Sequence, residues 1–225
     1  MVDSLGDSVQ PEGGNCVIDQ KQVDKSHYEF SRYMCKARWN SVWHQLDEVI
    51  RLNPESVLEI GPGIGLFKLV GRLYGVRVET LDIDQELEPD HIGTVTSLPF
   101  EDNSYDVVCA FQILEHLPYE RSLIGLREMA RVSRSKVVIS LPDARPVWPY
   151  KIHIPKIGVL NLLIPRPFFK EKKHEFDGEH YWEINKRGYS LKKVISDFSS
   201  IYGMKLIKTY RVYEFPYHRF LVFDV

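Results

Sequence analysis

Apolar residues arrive in short bursts along this chain, at 56–60, 76–81, 105–110 and 136–141, each rich in Val and Ile and bounded by turn residues. Runs of that length and β-branched content predict strands buried on both faces, as in a parallel sheet. Between the bursts the period lengthens. Leu123, Leu126, Met129, Ala130 and Val132 recur at helical spacing and end in Arg131, Arg134 and Lys136, cations suited to a helix C-terminus. Trp39, Val42, Trp43, Leu46, Val49 and Ile50 make an earlier stripe, read as a helix packed on the sheet, and 189–198 carries a later one. Two closing strands follow near 204–214 and 218–225, with Pro216 in the turn between them. Within 56–142 the order is strand, helix, strand, helix, strand, strand, helix, strand. It predicts an α/β fold whose ligands lie beyond the carboxyl ends of its strands.

The most specific chemistry sits at the first of those ends, in Val57-Leu58-Glu59-Ile60-Gly61-Pro62-Gly63-Ile64-Gly65-Leu66-Phe67. Glycines spaced by two let backbone approach a ligand closely, and the next helix presents its unpaired N–H groups there. A structural turn between a buried strand and a helix looks similar, so the glycines alone are weak evidence. Glu59 adds information, because a carboxylate beside the turn is a poor neighbour for a pyrophosphate and a good one for an ammonium. Roughly twenty positions on, the next strand ends in Asp82-Ile83-Asp84, where a carboxylate can accept both hydroxyls of a ribose. Asp84 competes for that role, but its position suits capping a short helix from Gln85.

Two further segments are more specific still: His91-Ile92-Gly93-Thr94-Val95-Thr96-Ser97-Leu98-Pro99-Phe100, and Tyr105-Asp106-Val107-Val108-Cys109-Ala110-Phe111-Gln112-Ile113-Leu114-Glu115-His116-Leu117. With the glycine motif they resemble the class I S-adenosylmethionine-dependent methyltransferases, of the type 11 kind that acts on quinones and other small molecules. The resemblance covers about residues 56–142 and implies a Rossmann-like, seven-stranded, mostly parallel sheet with helices on both faces and a C-terminal antiparallel hairpin. It implies S-adenosyl-L-methionine as cofactor, held by Glu59, Gly61, Gly63, Gly65, Asp82, Ile83, Thr94, Val95, Ala110 and Phe111. In that pattern Asp82 takes the ribose, Ile83 packs on the adenine, and Ala110 and Phe111 lie beside the methionine part. The sequence departs from it at Thr94, where the family often has an acid for the adenine amine; a hydroxyl accepts that bond more weakly.

Composition narrows the setting. A chain of 225 residues with 44% hydrophobic content can bury the core of one domain carrying extensions, and a net charge of −2 gives no general reason to bind nucleic acid. Cys16, Cys35 and Cys109 have no metal-like spacing, and an odd count argues against a disulfide framework, so a reducing, cytoplasmic setting is expected. No apolar run reaches the length of a membrane span, and Met1-Val2-Asp3-Ser4-Leu5-Gly6 lacks the regions of a signal peptide.

Outside the motif span, residues 1–25 are polar and read as a mobile tail. Residues 26–54 form a helical segment in which Tyr28 and Tyr33 are candidates for a lid over the cofactor. The segment 143–187 is about forty residues long where a plain connection would have a few, and it is read as a cap over the acceptor. Its apolar run 157–165 is expected to be a buried helix. With the cations to Lys173 it also suits contact between 157–173 and an anionic membrane surface. Gly178-Glu179-His180-Tyr181-Trp182-Glu183 concentrates acid–base groups, so His180 is the leading candidate for a catalytic base and His116 the second, against structural roles of holding the cap for His180 and hydrogen-bonding at a helix start for His116. No metal is expected, since His174, Glu175, Glu179 and His180 are crowded on a loop without ligand spacing.

The expected function is therefore methyl transfer to an O, N or C atom of a small or lipid-like acceptor. Two alternatives remain open at this stage: a catalytically silent cofactor-binding module acting on a protein partner, and a NAD-dependent oxidoreductase. Glu59, the glycine spacing and the lack of a hydride-transfer residue count against the second.

Overall fold

A computed structural model describes Lys21, Val23 and residues 25–225. The tail expected over 1–25 lies mostly outside the described residues. The chain begins with a short 3-10 turn, Lys25–Tyr28, then α1 (Phe30–Tyr33) and α2 (Lys36–Ile50). Strand β1 (Ser56–Ile60) and helix α3 (Leu66–Leu73) follow, then β2 (Arg77–Asp82), the two-residue β3 (His91–Ile92) and β4 (Tyr105–Phe111). Helix α4 (Tyr119–Val132) leads to β5 (Ser133–Pro142). After the insertion come α5 (Leu191–Ser199) and the closing pair β8 (Lys205–Arg211) and β9 (His218–Asp224), with β6 (Val147–Ile154) and β7 (Gly158–Pro165) inside the insertion.

The seven-stranded sheet has the order β3-β2-β1-β4-β5-β9-β8, parallel through β5 and antiparallel at β9 and β8. The expected α/β architecture is the one observed. Strand periodicity sends alternate residues to opposite layers. Leu58 and Ile60 pack with Leu126, Met129, Val194 and Phe198 under α4 and α5, whereas Val57 packs with Val49 and Phe67 under α2 and α3. Connections at β1 and β4 run in opposite directions from the centre of the sheet, and the cleft opens at that switch point. Among the described residues, no helix is long and apolar enough to cross a membrane.

Three expectations are corrected. The run 157–165 is no buried helix: it pairs antiparallel with β6, from Val147↔Pro165 to Ile154↔Gly158, as a ribbon separate from the main sheet. The stripe in α2 buries Val49 but leaves Trp39 and Trp43 52% and 54% exposed, because the helix meets the sheet on the face of Ser41, His44 and Val49, with Ser41 on His218 and the His44 ring against Tyr210 and Phe220. Helix α4 ends at Val132, so Arg134 and Lys136 are strand residues that pair with Asp106 and Asp224 instead of capping the helix.

Both ends of the insertion are held at one place. Asp143 and Ile184 form a parallel bridge, and the buried Asp143 carboxylate accepts from Arg219 Nε at 2.7 Å, Asn185 Nδ2 at 2.8 Å and the Arg145 backbone N–H at 3.0 Å. Further along, Trp182 is fully buried and donates its indole N–H to Ser122 Oγ of α4 at 3.0 Å.

Candidate active site

The loop after β1 is built from backbone conformations that favour glycine. Gly61, Gly63 and Gly65 have φ of 68°, 54° and 71°. A Cβ on Gly61 would strike the Ile113 side chain, and one on Gly63 would meet the ring of Tyr28 at 3.1 Å. Gly65 caps α3 and does not line the cleft. Across the opening, Gln112 follows β4 with φ of 59°, a strained setting for a side-chain-bearing residue, fixed by its N–H to Ser140 O at 3.0 Å and its amide to Ser140 Oγ at 3.1 Å.

These loops form the floor of one continuous cleft of about 330 Å³. Glu59, Gly61, Gly63, Asp82, Ile83, Thr94, Val95 and Phe111 all line it. Ala110 does not: the sheet's period of two turns it into the core under α4 while its neighbour Phe111 faces the cleft. Tyr28 and Tyr33 line the cleft as well, with ring centroids 5.0 Å apart, and the Arg38 guanidinium lies 4.1 Å over the Tyr33 ring. Tyr28 thus covers the glycine loop, while His27 Nδ1 reaches to 4.0 Å from Glu179 Oε1 in the insertion.

Charge is arranged unevenly along the floor. Glu59 is buried, its Oε2 has no hydrogen-bond partner among the described residues, and burial pushes its carboxyl up to about 8 against the opposing influence of Lys68. A buried acid left half satisfied is a receptor for a donor or cation that completes it. Asp82 is also shifted upward, by burial first and the charge of Asp84 after it, although it accepts the Asp84 N–H at 2.8 Å. Asp84 itself accepts from Glu86 N–H at the head of the turn Gln85–Leu87 and pairs with Lys21 at 3.0 Å, the capping role its position suggested. Asp82 and Asp84 both line the cleft.

At the other end stand the two histidines, whose rings lie 5.0 Å apart at 73°. His116 Nδ1 donates to the Glu179 carbonyl at 3.0 Å, and burial first, then the charge of His180, lowers its pKa to about 4. His180 Nδ1 lies 3.3 Å from Glu183 Oε1, which also accepts from the Tyr217 hydroxyl at 2.8 Å. Burial pulls His180 down, but the Glu183 hydrogen bond and the charges of Glu115, Asp177 and Glu183 outweigh it and leave its pKa raised. His174 is turned away from the pair, donating Nε2–H to the His180 carbonyl at 2.8 Å.

Sequence reading missed part of this end. Ser41, Phe215, Tyr217 and His218 also line the cleft, and His218 Nδ1 lies 2.7 Å from Ser41 Oγ. Burial holds His218 neutral, with a pKa lowered to about 3. The available signal was the aromatic run Phe215-Pro216-Tyr217-His218, richer than a plain turn requires.

Residues 58–141, which build this floor, match the family model described as a methyltransferase domain. No curated protein matches the sequence. The fold is similar to that of a Pyrococcus horikoshii protein at a TM-score of 0.60 and 15% identity, covering 90% of this chain and 99% of that one. It is also similar to Burkholderia thailandensis 1,6-didemethyltoxoflavin-N1-methyltransferase, solved with 1,6-didemethyltoxoflavin and S-adenosylhomocysteine bound, at a TM-score of 0.57 and 13% identity over 88% of this chain and 83% of that one. The magnesium protoporphyrin IX methyltransferase of Synechocystis, with bound S-adenosylhomocysteine, gives a TM-score of 0.53 at 15% identity, covering 84% of this chain and 83% of that one. With the glycine loop, Glu59 and Asp82 on the sheet order described, residues 58–141 match a methyltransferase domain, and the chain has the fold of these S-adenosylmethionine-dependent methyltransferases.

Proposed function

We propose that this enzyme methylates a small or lipid-like acceptor that enters the cleft between the glycine loop and the His116–His180 pair. The observation that carries the reading is the continuity of the cleft, with Glu59 and Asp82 at one end and the two histidines at the other. The residues fit the cofactor. The unpartnered Glu59 oxygen suits its ammonium, Asp82 its ribose hydroxyls, and Ile83, Thr94 and Val95 its adenine, while Gly61 and Gly63 keep the floor low. When bound, S-adenosylmethionine supplies a methyl carbon already activated by the sulfonium. What is left to the protein is positioning and proton management.

Those tasks fall to different parts of the chain. Tyr28 and Tyr33 close over the cofactor end and exclude water. His116 and His180 act on the acceptor, orienting it and handling its proton, with Glu183 and Tyr217 fixing the His180 ring. The 1,6-didemethyltoxoflavin and magnesium protoporphyrin IX in the names of similar folds are planar ring systems, a shape that also suits a cleft walled by Phe111, Ile113 and Phe215.

The ribbon supports delivery of such an acceptor from an anionic membrane surface. Trp148, Tyr150 and Ile152 share one face with Ile164, Leu162 and Leu160, and Ile157 at the tip is 81% exposed. Residues 144–170 carry Arg145, Lys151, Lys156, Arg166 and Lys170 and no acid. An apolar face rimmed by cations alone is complementary to anionic lipid and repels a second copy of itself.

Titration calorimetry with S-adenosylmethionine, S-adenosylhomocysteine and NAD tests the cofactor end; binding of NAD alone would overturn the reading. His180→Ala should keep cofactor affinity and lose most turnover in a screen of phenols, quinols and hydroxylated lipids. Unchanged turnover removes His180 from the chemistry. Sedimentation with phosphatidylglycerol vesicles tests the ribbon, since Ile157→Asp with Ile152→Asp should release the protein; neutral vesicles binding equally well would remove the electrostatic argument.

A further inference from the structure

Glu115 is fully buried, and neither of its carboxylate oxygens has a hydrogen-bond partner among the described residues. An acid in that state is costly to keep, so packing alone does not account for it. Its neighbours do. Glu115, His116 and His180 each present a ligand atom within 4.8 Å of the others'.

Both imidazoles are already oriented for coordination. His116 has Nδ1 on the Glu179 carbonyl and His180 has Nδ1 on the Glu183 carboxylate. Metal-binding histidines are held in this way, with a carbonyl or carboxylate fixing the far nitrogen. Two imidazoles and one carboxylate are a donor set for divalent transition metals, and three protein ligands leave coordination positions open.

A second set, Asp177 with His180 and Glu183, competes for the same histidine. Its acids are already used. Asp177 Oδ1 accepts the backbone N–H groups of Glu179 and His180, and Glu183 holds Tyr217 and His180. Only the set containing Glu115 has a carboxylate awaiting a partner.

We propose that Glu115, His116 and His180 bind a divalent transition-metal ion at the acceptor end of the cleft. The proposal rests on the methyltransferase reading for its purpose: such an ion selects acceptors that offer a hydroxyl, catechol or hydroxy-acid oxygen and favours their ionised form. The histidines then act on the acceptor through the ion.

The test uses the full chain, free of any affinity tag and stripped with a chelator. It is titrated with Co²⁺, followed by visible absorption and calorimetry, and then with Zn²⁺ in competition. One ion per chain is expected. Glu115→Gln and His180→Asn should each weaken Co²⁺ at least tenfold, and Asp177→Asn, which keeps the accepting oxygen of its turn, should not. S-adenosylhomocysteine is titrated into the same samples, and thermal melting confirms that each variant is folded. Wild-type protein that binds S-adenosylhomocysteine but no Co²⁺ overturns the metal site and leaves the methyltransferase reading standing. Equal Co²⁺ affinity in wild type, Glu115→Gln and His180→Asn, or loss in Asp177→Asn instead, also overturns it. Co²⁺ binding without S-adenosylhomocysteine binding sustains the site and counts against the reading on which its purpose rests.

Discussion

A Cβ placed on Gly61 would lie 2.0 Å from Cδ1 of Ile113, so the residue that closes the first strand and the one beyond the fourth are packed against each other at the mouth of the cleft. Gly61→Ala must therefore displace Ile113 as well as hold alanine at a φ of 68°. A cost of roughly 2–4 kcal/mol is expected from the two effects together. Gly65→Ala, with nothing within 4 Å of the added carbon, should incur only the backbone penalty of about 1–2 kcal/mol. Urea unfolding of the two variants checks the difference, and equal losses would show that Ile113 moves aside freely.

Glu59 makes stability depend on pH. Its carboxyl is raised in the folded protein from 4.5 to about 8, so the folded state holds a proton that the unfolded chain releases. The contribution is fully present below about pH 4.5 and is lost as pH rises to about 8, on the order of a few kcal/mol in total. Melting temperature of the ligand-free protein should fall between pH 5 and 8, and Glu59→Gln should make that fall shallower. A profile unchanged by the substitution would mean that Glu59 is ionised throughout.

Asp82 and Asp84 separate by partner. Both line the cleft, but Asp84 also holds the Glu86 N–H and Lys21. Asp82→Asn should weaken S-adenosylhomocysteine binding tenfold or more in calorimetry. Asp84→Asn should change it by less than about threefold, since an amide oxygen can still cap the turn. A reversed order would move the ribose contact to Asp84.

Asp143→Ala removes the buried acceptor from Arg219 and leaves Arg211, whose Nη1 lies 3.7 Å from Asp143 Oδ1, beside a second uncompensated cation. Breaking such a pair costs about 3–5 kcal/mol. The loss should appear in urea unfolding together with faster proteolysis within 144–183. Loss of stability without new cleavage sites would show that Asp143 supports the sheet and not the insertion.

The cofactor floor was legible because each piece is local. Strand, acid and glycine loop follow one another in the chain at Glu59, and the next pieces, Asp82 and Phe111, each stand at the end of a strand of their own. The acceptor end is different, since Ser41, His116, His180 and His218 meet only when α2, the fourth strand, the insertion and the last turn converge. Ala110 was misplaced by a motif read as a block, although strand alternation separates it from Phe111. The run at 157–165 misled for another reason: Leu160-Asn161-Leu162-Leu163-Ile164 has too little polar alternation to tell a strand from a helix by period. The breakers around it, Pro155, Gly158 and Pro165, were the better guide.

The bridge between Asp143 and Ile184 means that the chain leaves the sheet and returns to it at almost one point. Everything between is a detour whose length does not alter the register of any sheet strand. Such a segment can be lengthened, shortened or exchanged as a unit while the floor beneath it stays the same. Under the proposed function, a graft joined at 143 and 184 is expected to alter acceptor preference while leaving cofactor binding intact.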